Sequence, residues 1–215
     1  ILCLVAFISC NTEVTTESVY QEVDVFNDSD YKVDIAYIKS ISSEGFTSFD
    51  MEDLYDSSND YSLITDELTL KSLEIYSNDP SKSINFYSEY YELRAFQWDE
   101  KKGEFSFTFF VQDETCCFTQ YYCVVDKSGD IYSISHLGMT GGDGGWSMHN
   151  RGVLTHPGTY HMYETESEMD YFVRNDSSFE VGLNVNYEYM LRYTDSIYVR
   201  GEKFNETEDS IFYLY

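Results

Sequence analysis

The chain has 215 residues, of which 42% are hydrophobic and 18% aromatic, so it can bury one sizeable core. Its formal net charge is -26 at pH 7. A charge of this sign repels phosphate backbones and anionic bilayers, which excludes nucleic-acid binding and electrostatic docking on a membrane as functions. Any charged partner is expected to be cationic.

The chain begins with a short apolar run, ILCLVAFISC, that ends in Ser9 and Cys10. This run is too short for a transmembrane helix and has the length of the hydrophobic region of a signal peptide. The FISC tetrapeptide resembles the lipobox of bacterial lipoproteins, although that motif favours Leu where this chain has Phe7. The resemblance implies that residues 1–9 are a truncated signal peptide and that Cys10 is lipidated. The alternatives are an ordinary secretory signal and a hydrophobic first strand.

Three further segments precede the clear strand signals. Residues 10–30 are polar and acidic, as expected of a lipidated tether, although VYQEVDVF within them also fits a first strand. The segment 31–39, YKVDIAYIK, alternates Val33, Ile35 and Tyr37 with polar residues, which predicts a half-buried strand. Residues 48–80 mix capping residues with scattered Leu and Ile, which predicts one or two short helices.

Aromatic and β-branched runs dominate from residue 85 onward. The runs NFYSEYYELRAFQW, EFSFTFFV, CCFTQYYCVV and IYSISHLG are separated by the turn sequences DEKKG, QDET and DKSGD, which predicts an antiparallel meander. In EFSFTFFV, Phe105, Phe107 and Phe109 share one face, which is predicted to be buried. Gly129 in DKSGD is predicted to close a type I turn in a left-handed conformation.

Further strands are predicted at GTYHMYE, VNYEYMLRY, SIYVR and SIFYLY. Residues 31–215 are therefore expected to form a mainly β, single domain. Its predicted architecture is an antiparallel meander or sandwich-like fold with one or two short helices.

Three cysteines remain if Cys3 is removed with the signal peptide and Cys10 is lipidated. In a strand, Cys116 and Cys117 point to opposite faces, and Cys117 and Cys123 lie roughly 20 Å apart at about 3.3 Å per residue. No disulfide within the strand is therefore predicted. The three side chains are interpreted as small buried apolar groups, with one thiol left free or paired outside the chain.

The strongest candidate for a binding site is GMTGGDGGWSMHNRG, residues 138–152. Asp143 offers a carboxylate and Trp146 an aromatic ring, and His149 and Arg151 follow, so these four are candidates for binding a cation or a sugar ring. The alternative is a flexible connection between strands, in which Asp143 closes a turn and Trp146 folds back as an anchor. The single GGDGG differs from calcium-binding repeats, which need tandem copies.

Metal and catalytic signatures are weak. The four histidines, His136, His149, His156 and His161, fall in one region, but no pair has the i, i+2 spacing that places two ligands on one face of a strand. No metal and no cofactor are expected. No catalytic residue is nominated, because a G-x-S-x-G elbow is lacking, whereas a glycosidase-like carboxylate pair depends on three-dimensional spacing.

The stretch from CFTQYYCVVDKSGDIYSISHLGMTGGDGGW through GTYHMYE to DSIYVRGEKF resembles uncharacterised envelope lipoproteins of the Bacteroidota. The resemblance implies an exported β-rich domain, lipid-anchored in the bacterial cell envelope at the outer membrane. The 21 tyrosines supply rigid, amphipathic contact area for a protein or glycan partner.

The expected function is thus a non-enzymatic binding or structural role, and the alternative is an envelope hydrolase acting on glycan or peptide. A concave pocket that gathers carboxylates with His149 or His156 would favour the hydrolase. An exposed tyrosine-rich sheet face would favour the binding protein.

Overall fold

The computed structural model describes residues 31–79, 92–101, 103–112, 116–174 and 177–214. The predicted signal peptide and tether, including Cys10, lie outside these ranges. Three α-helices are present in the described residues: α1 (Ile35–Ile41), α2 (Met51–Asp56) and α3 (Glu67–Ser77). The helices α2 and α3 confirm the prediction for residues 48–80. None of the described helices has both the length and the apolar character needed to cross a bilayer.

The strand predicted for residues 31–39 is wrong, because helix α1 occupies most of this segment. The Asp34 side chain accepts a hydrogen bond from the backbone N–H of Tyr37 and so caps the helix. Ile35, Ile38 and Ile41 recur at helical spacing, and Ile38 is fully buried in the core. In so short a segment the apolar residues fit either periodicity, and the aspartate cap favours the helix.

Eleven strands form one sheet in the described residues. They are β1 (Ser43–Glu44), β2 (Phe49–Asp50), β3 (Glu92–Lys101), β4 (Glu104–Gln112), β5 (Cys117–Val125), β6 (Ile131–Asp143), β7 (Trp146–His156), β8 (Thr159–Arg174), β9 (Ser177–Thr194), β10 (Ile197–Arg200) and β11 (Asn205–Leu214). Strands β3 to β10 pair antiparallel in chain order, which confirms the mainly β class and the predicted meander. Strand β1 pairs with β3 in a parallel orientation and lies at the edge of the sheet.

The sheet folds over on itself near the middle. Strand β6 pairs with β5 along most of its length but with β7 only from Thr140 to Asp143. The second half of the sheet therefore packs over the first, and one apolar cluster, which includes Phe110, Tyr122, Tyr160 and Met162, fills the space between the two halves. A second cluster lies on the other face of β3–β6, under α1 and α3. The result is a sandwich-like arrangement with a helical outer layer.

The predicted buried row on β4 is confirmed. Phe105, Phe107 and Phe109 are 3%, 0% and 0% exposed and face the helices. Ser106 and Thr108 on the opposite face are also buried, because the folded-over half of the sheet covers them. The turn predicted at Gly129 is confirmed as well, with a φ of 88°.

Strand β2 joins the amino-terminal segment to the second half of the sheet. Phe49 pairs with Gly152 of β7. The Phe49 ring packs directly on the Gly152 backbone, since a Cβ built on Gly152 would be 2.5 Å from Phe49 Cε1. The hydroxyl of Ser48 accepts a hydrogen bond from the backbone N–H of Leu154 at 2.9 Å. Glycine at position 152 therefore allows this close contact.

The prediction that no disulfide forms in the cysteine segment is wrong. Cys116 and Cys117 are joined by a disulfide, with their Cα atoms 3.7 Å apart. Strand β5 begins at Cys117, so Cys116 precedes the strand and the alternation of faces does not apply to this pair. Cys123 has a free thiol and is buried, as predicted.

Three strands extend past the end of β7 as a ribbon. Strand β7 pairs with β8 only as far as Glu168, whereas the β8–β9 pairing continues to Arg174 and Ser177. On its other edge, residues 179–188 of β9 pair with β11 and residues 191–194 pair with β10. We call residues 164–174, 177–188 and 205–214 the ribbon; β7 still pairs with its first residues, 164–168.

Candidate functional site

The glycine-rich candidate segment is a tight hairpin. Residues up to Asp143 belong to β6, Trp146 begins β7, and these two residues pair across a turn of only Gly144 and Gly145. Both glycines have positive φ, 59° and 95°, as two-residue hairpin turns require. The expectation of a flexible connection is therefore wrong for residues 140–143, TGGD, because they belong to β6. The connection itself is a turn of two residues.

The four candidate site residues lie on two faces of the sheet. Strand alternation places Trp146, with Asp143 opposite it, on one face and His149 and Arg151 on the other. His149 Nε2 is 3.3 Å from Asp50 Oδ1, and the Arg151 guanidinium is 4.7 Å from the centre of the ring of Tyr163. The structure does not bring these four side chains together.

The four histidines are also dispersed. His136 contacts the ring of Tyr121, and His161 stacks on Tyr163 with ring centres 4.5 Å apart. His161 Nε2 is 3.5 Å from a Glu188 oxygen. In the part of the chain that the structure describes, no group of three His, Cys, Asp or Glu side chains is placed to hold a metal ion.

A groove opens at one end of the sandwich, between the β3–β4, β7–β8 and β9–β10 hairpins. It consists of two adjoining cavities of about 280 and 180 Å³, which together reach the size of small-molecule sites, roughly 300 to 1,000 Å³. We call it the terminal groove and define it by its aromatic and ionisable lining residues: Phe46, Asp99, Lys101, Glu104, Tyr122, His156, Tyr193 and Tyr198.

Tyrosines from three strands form the apolar part of the terminal groove. The rings of Tyr122 and Tyr198 meet edge to face with centres 4.8 Å apart, and Tyr193 lies 5.5 Å from Tyr198. Phe46, from the loop between β1 and β2, lies 5.4 Å from Tyr122. Contacts of this kind hold aromatic rings in fixed orientations. Tyr122 and Tyr198 are only 5% and 8% exposed, so the aromatic surface open to a ligand comes mainly from the partly exposed Phe46 and Tyr193, which these buried rings support.

Two phenols of this cluster, those of Tyr122 and Tyr198, are buried. Burial raises the pKa of Tyr122 and of Tyr198 well above the ordinary tyrosine value, because a phenolate would lose its hydration. Both hydroxyls therefore act as neutral donors and acceptors at physiological pH.

A tight turn sets the position of Tyr193. Pro157 and Gly158 connect β7 to β8, and Gly158 has a φ of 74°, as expected at the third position of a type II turn. The Gly158 carbonyl accepts a hydrogen bond from the N–H of Tyr193 at 2.8 Å, and a Cβ on Gly158 would lie 3.0 Å from Tyr193 Cβ. The absence of a side chain at Gly158 thus lets the turn approach the groove wall.

The ionisable groups lie on the groove rim. Asp99 forms an ion pair with Lys101, and in the β3–β4 register Lys101 stands opposite Glu104, so these side chains share one face. Lys101, Glu104 and the nearby His156 are exposed. The rim therefore combines carboxylates, an ammonium and an imidazole next to rigid aromatic rings.

Sequence reasoning found this region only in part. Among the lining residues, the sequence indicates only His156, as one of four histidines that fall in one region of the chain. The high tyrosine count was a signal for recognition surfaces but did not locate one. Tyr122, Tyr193 and Tyr198 come from separate strands, so only the folded topology brings them together.

A second polar cluster lies at the edge of the inner core. Glu164, 8% exposed, accepts hydrogen bonds from Asn150 Nδ2 at 3.0 Å, Tyr189 Oη at 3.1 Å and Arg200 Nη2 at 3.2 Å. The Asn150 side-chain oxygen accepts the N–H of Met139 at 2.8 Å. This buried carboxylate accepts hydrogen bonds from three strands, β7, β9 and β10, which indicates a structural joint rather than a binding site.

Comparison with protein families, curated proteins and solved structures finds no match to this chain. A functional assignment therefore depends on the chemistry of the terminal groove and on the amino-terminal sequence.

Proposed function

We propose that this chain is an exported lipoprotein of the bacterial cell envelope, anchored in the outer membrane through Cys10, whose β domain binds a glycan in the terminal groove. Glycan binding is inferred from the groove itself, where aromatic residues lie beside charged groups of the rim. The aromatic residues are Phe46, Tyr122, Tyr193 and Tyr198. A sugar ring has apolar faces that pack on aromatic rings and hydroxyls at its edge. The rim groups supply donors and acceptors for those hydroxyls.

The anchor is supported by the amino-terminal sequence, where the apolar run ends in FISC. The disulfide between Cys116 and Cys117 also supports export, because disulfides persist mainly in oxidising compartments. Replacing Cys10 with Ala in the full chain should release the protein from the membrane fraction, whereas Cys3→Ala should not. Membrane attachment that survives Cys10→Ala would contradict the anchor.

Glycan binding is tested by calorimetric titration of the full chain with a panel of envelope oligosaccharides. Tyr193→Ala should weaken binding roughly tenfold, the loss of one aromatic contact of about 1.4 kcal/mol. Tyr132→Ala is the matched control, because Tyr132 is 56% exposed and outside the groove. The proposal fails if no oligosaccharide binds or if the two variants weaken binding equally.

A hydrolase is the second candidate, because Asp99, Glu104 and His156 border the same groove. Glycoside hydrolysis uses two carboxyl groups, one as acid and one as base or nucleophile. The oligosaccharide that binds most tightly should be incubated with the protein and analysed for products by chromatography. Products that disappear in both Asp99→Asn and Glu104→Gln, but not in Glu202→Gln on an exposed loop, would favour the hydrolase. Binding without products favours the binding protein.

A further inference from the structure

One face of the ribbon continues the inner wall of the sandwich beyond its core. On β8 this face follows buried Met162 and Glu164, and on β9 it follows buried Tyr189. We call it the inner ribbon face and define it by Glu166 and Glu168 of β8, Val185 and Tyr187 of β9, and Glu206 and Glu208 of β11.

The register arranges this face in rows across the three strands. Val185 pairs with Glu166 on one side and with Glu208 on the other. Tyr187 pairs with Glu164 and Glu206 in the same way. Directly paired residues lie roughly 5 Å apart at Cβ, so Val185 and Tyr187 are each flanked by two carboxylates, of which Glu164 is buried and already hydrogen-bonded within the domain.

The inner ribbon face is open to solvent in the described structure. Glu168, Glu206 and Glu208 are exposed, and Val185 and Tyr187 are partly exposed. Among the described elements, β11 packs extensively only against β9. Apart from the contact of Lys203 with Tyr187 and the hydrogen bond from Trp146 to Glu166, the rest of the described domain leaves this sheet surface uncovered.

A cation already occupies part of this face. The ammonium of Lys203 lies 3.4 Å from the centre of the Tyr187 ring, so the chain's own side chain shows the kind of group that the face accepts. Desolvation is the largest cause that raises the pKa of Tyr187, and the negative charges of Glu166, Glu206, Glu164 and Glu208 raise it further.

We propose that the inner ribbon face binds an extended segment of a partner protein whose sheet-facing side chains, which are every second residue along the segment, include both Lys or Arg and apolar residues. The apolar column on β9 would take the apolar side chains, and the flanking carboxylates would take the cations. A second copy of this chain is disfavoured by its own net charge of -26, and residues 1–30 contain no Lys or Arg. The proposal is independent of the terminal groove and of the anchor.

The test uses the full chain and a labelled synthetic peptide of about ten residues, the Lys–Val peptide, in which Lys and Val take turns at every second position with Ser between them, so that both face the same side. The reference is the Glu–Val peptide, which has Glu in place of each Lys. Fluorescence anisotropy should detect binding of the Lys–Val peptide that weakens as salt is raised, and no binding of the Glu–Val peptide. Failure of the Lys–Val peptide to bind at low salt overturns the proposal.

Two neighbouring residues of β11 give a matched pair of variants. Glu208 lies on the inner ribbon face and Asp209 on the opposite face, and both are exposed. Glu208→Gln should weaken peptide binding roughly three- to tenfold, whereas Asp209→Asn should change it less than about twofold. Equal weakening by both variants would show attraction to net charge alone and overturn the assignment to this face. Val185→Thr should also weaken binding, and unchanged affinity in that variant would overturn the proposal, because the apolar column is part of it.

Discussion

Trp146 and Glu166 are joined across the β7–β8 pair: the indole Nε1 donates a hydrogen bond to Glu166 Oε1 at 2.9 Å. Trp146 directly follows the Gly144–Gly145 turn and is partly buried, so it anchors the end of the hairpin to the neighbouring strand.

Trp146→Ala should lower the free energy of unfolding by about 2 kcal/mol, because it removes half-buried aromatic area and a hydrogen bond to a charged group. Urea unfolding followed by circular dichroism measures the change. Asp143→Ala, across the same turn but exposed, should cost less than about 0.5 kcal/mol. A larger loss in the Asp143 variant than in the Trp146 variant would reverse these roles.

Phe107→Ala should be more severe, with a loss of about 3 to 5 kcal/mol in the free energy of unfolding. Phe107 is fully buried in the middle of β4, between Phe105 and Phe109, so truncation leaves a cavity under the helices. Chemical denaturation of the variant beside Tyr132→Ala, an exposed aromatic control, measures the effect. A loss below about 1 kcal/mol would show that this row is not tightly packed.

The β9–β10 turn offers a stabilising substitution. Asp195 and Ser196 both have positive φ, 50° and 66°, which costs free energy for residues with a Cβ. Ser196→Gly should raise the free energy of unfolding by roughly 0.5 to 1 kcal/mol, because glycine adopts this conformation without strain. Thermal melts of the two proteins make the comparison. A lower melting temperature in the variant would mean that the Ser196 side chain contributes more than its backbone costs.

Alkaline pH should destabilise the fold through its buried phenols. Burial raises the pKa of Tyr122, Tyr160, Tyr189 and Tyr198 above the ordinary value of 10.0. As pH rises past that value, the unfolded chain loses these protons while the folded chain keeps them, so the unfolded state is favoured. The contribution of these phenols to the free energy of unfolding should be constant below about pH 9 and should fall progressively above about pH 10.

Urea unfolding at a series of alkaline pH values checks this expectation, and Tyr198→Phe should reduce the slope because one buried phenol is gone. If stability does not change with pH above the ordinary tyrosine pKa, these phenols are not held neutral by burial.

Much of the fold could be predicted because β strands and turns leave local patterns. The alternation in EFSFTFFV identified the face of Phe107, and DKSGD identified the turn at Gly129. Helix α1 was not predicted because Val33, Ile35 and Tyr37 alternate as in a strand, whereas the helical spacing of the isoleucines and the cap at Asp34 favour the helix. The outer part of β8, from Thr165 to Asp170, lacks an apolar pattern, and it is a strand because β9 pairs with it.

The candidate site could not be predicted because it depends on distant contacts. Tyr193 and Tyr122 become neighbours only when the sheet folds over on itself. The local motif that contains Asp143 and His149 predicts a site, but strand alternation places these two side chains on different faces of the sheet. A pattern in sequence locates a surface only when the residues that form it are also close along the chain.

The contact between Phe49 and Gly152 has a consequence for the kinetics of folding. Strands β3 to β10 are joined mostly by local hairpins, whereas β2 must reach β7 across a long loop, whose closure costs entropy before any contact forms. This joint should therefore form after the rate-limiting step. Shortening Phe49 to Ala should accelerate unfolding while leaving the refolding rate nearly unchanged, so the seam between the amino-terminal segment and the folded-over sheet governs how long the native state lasts.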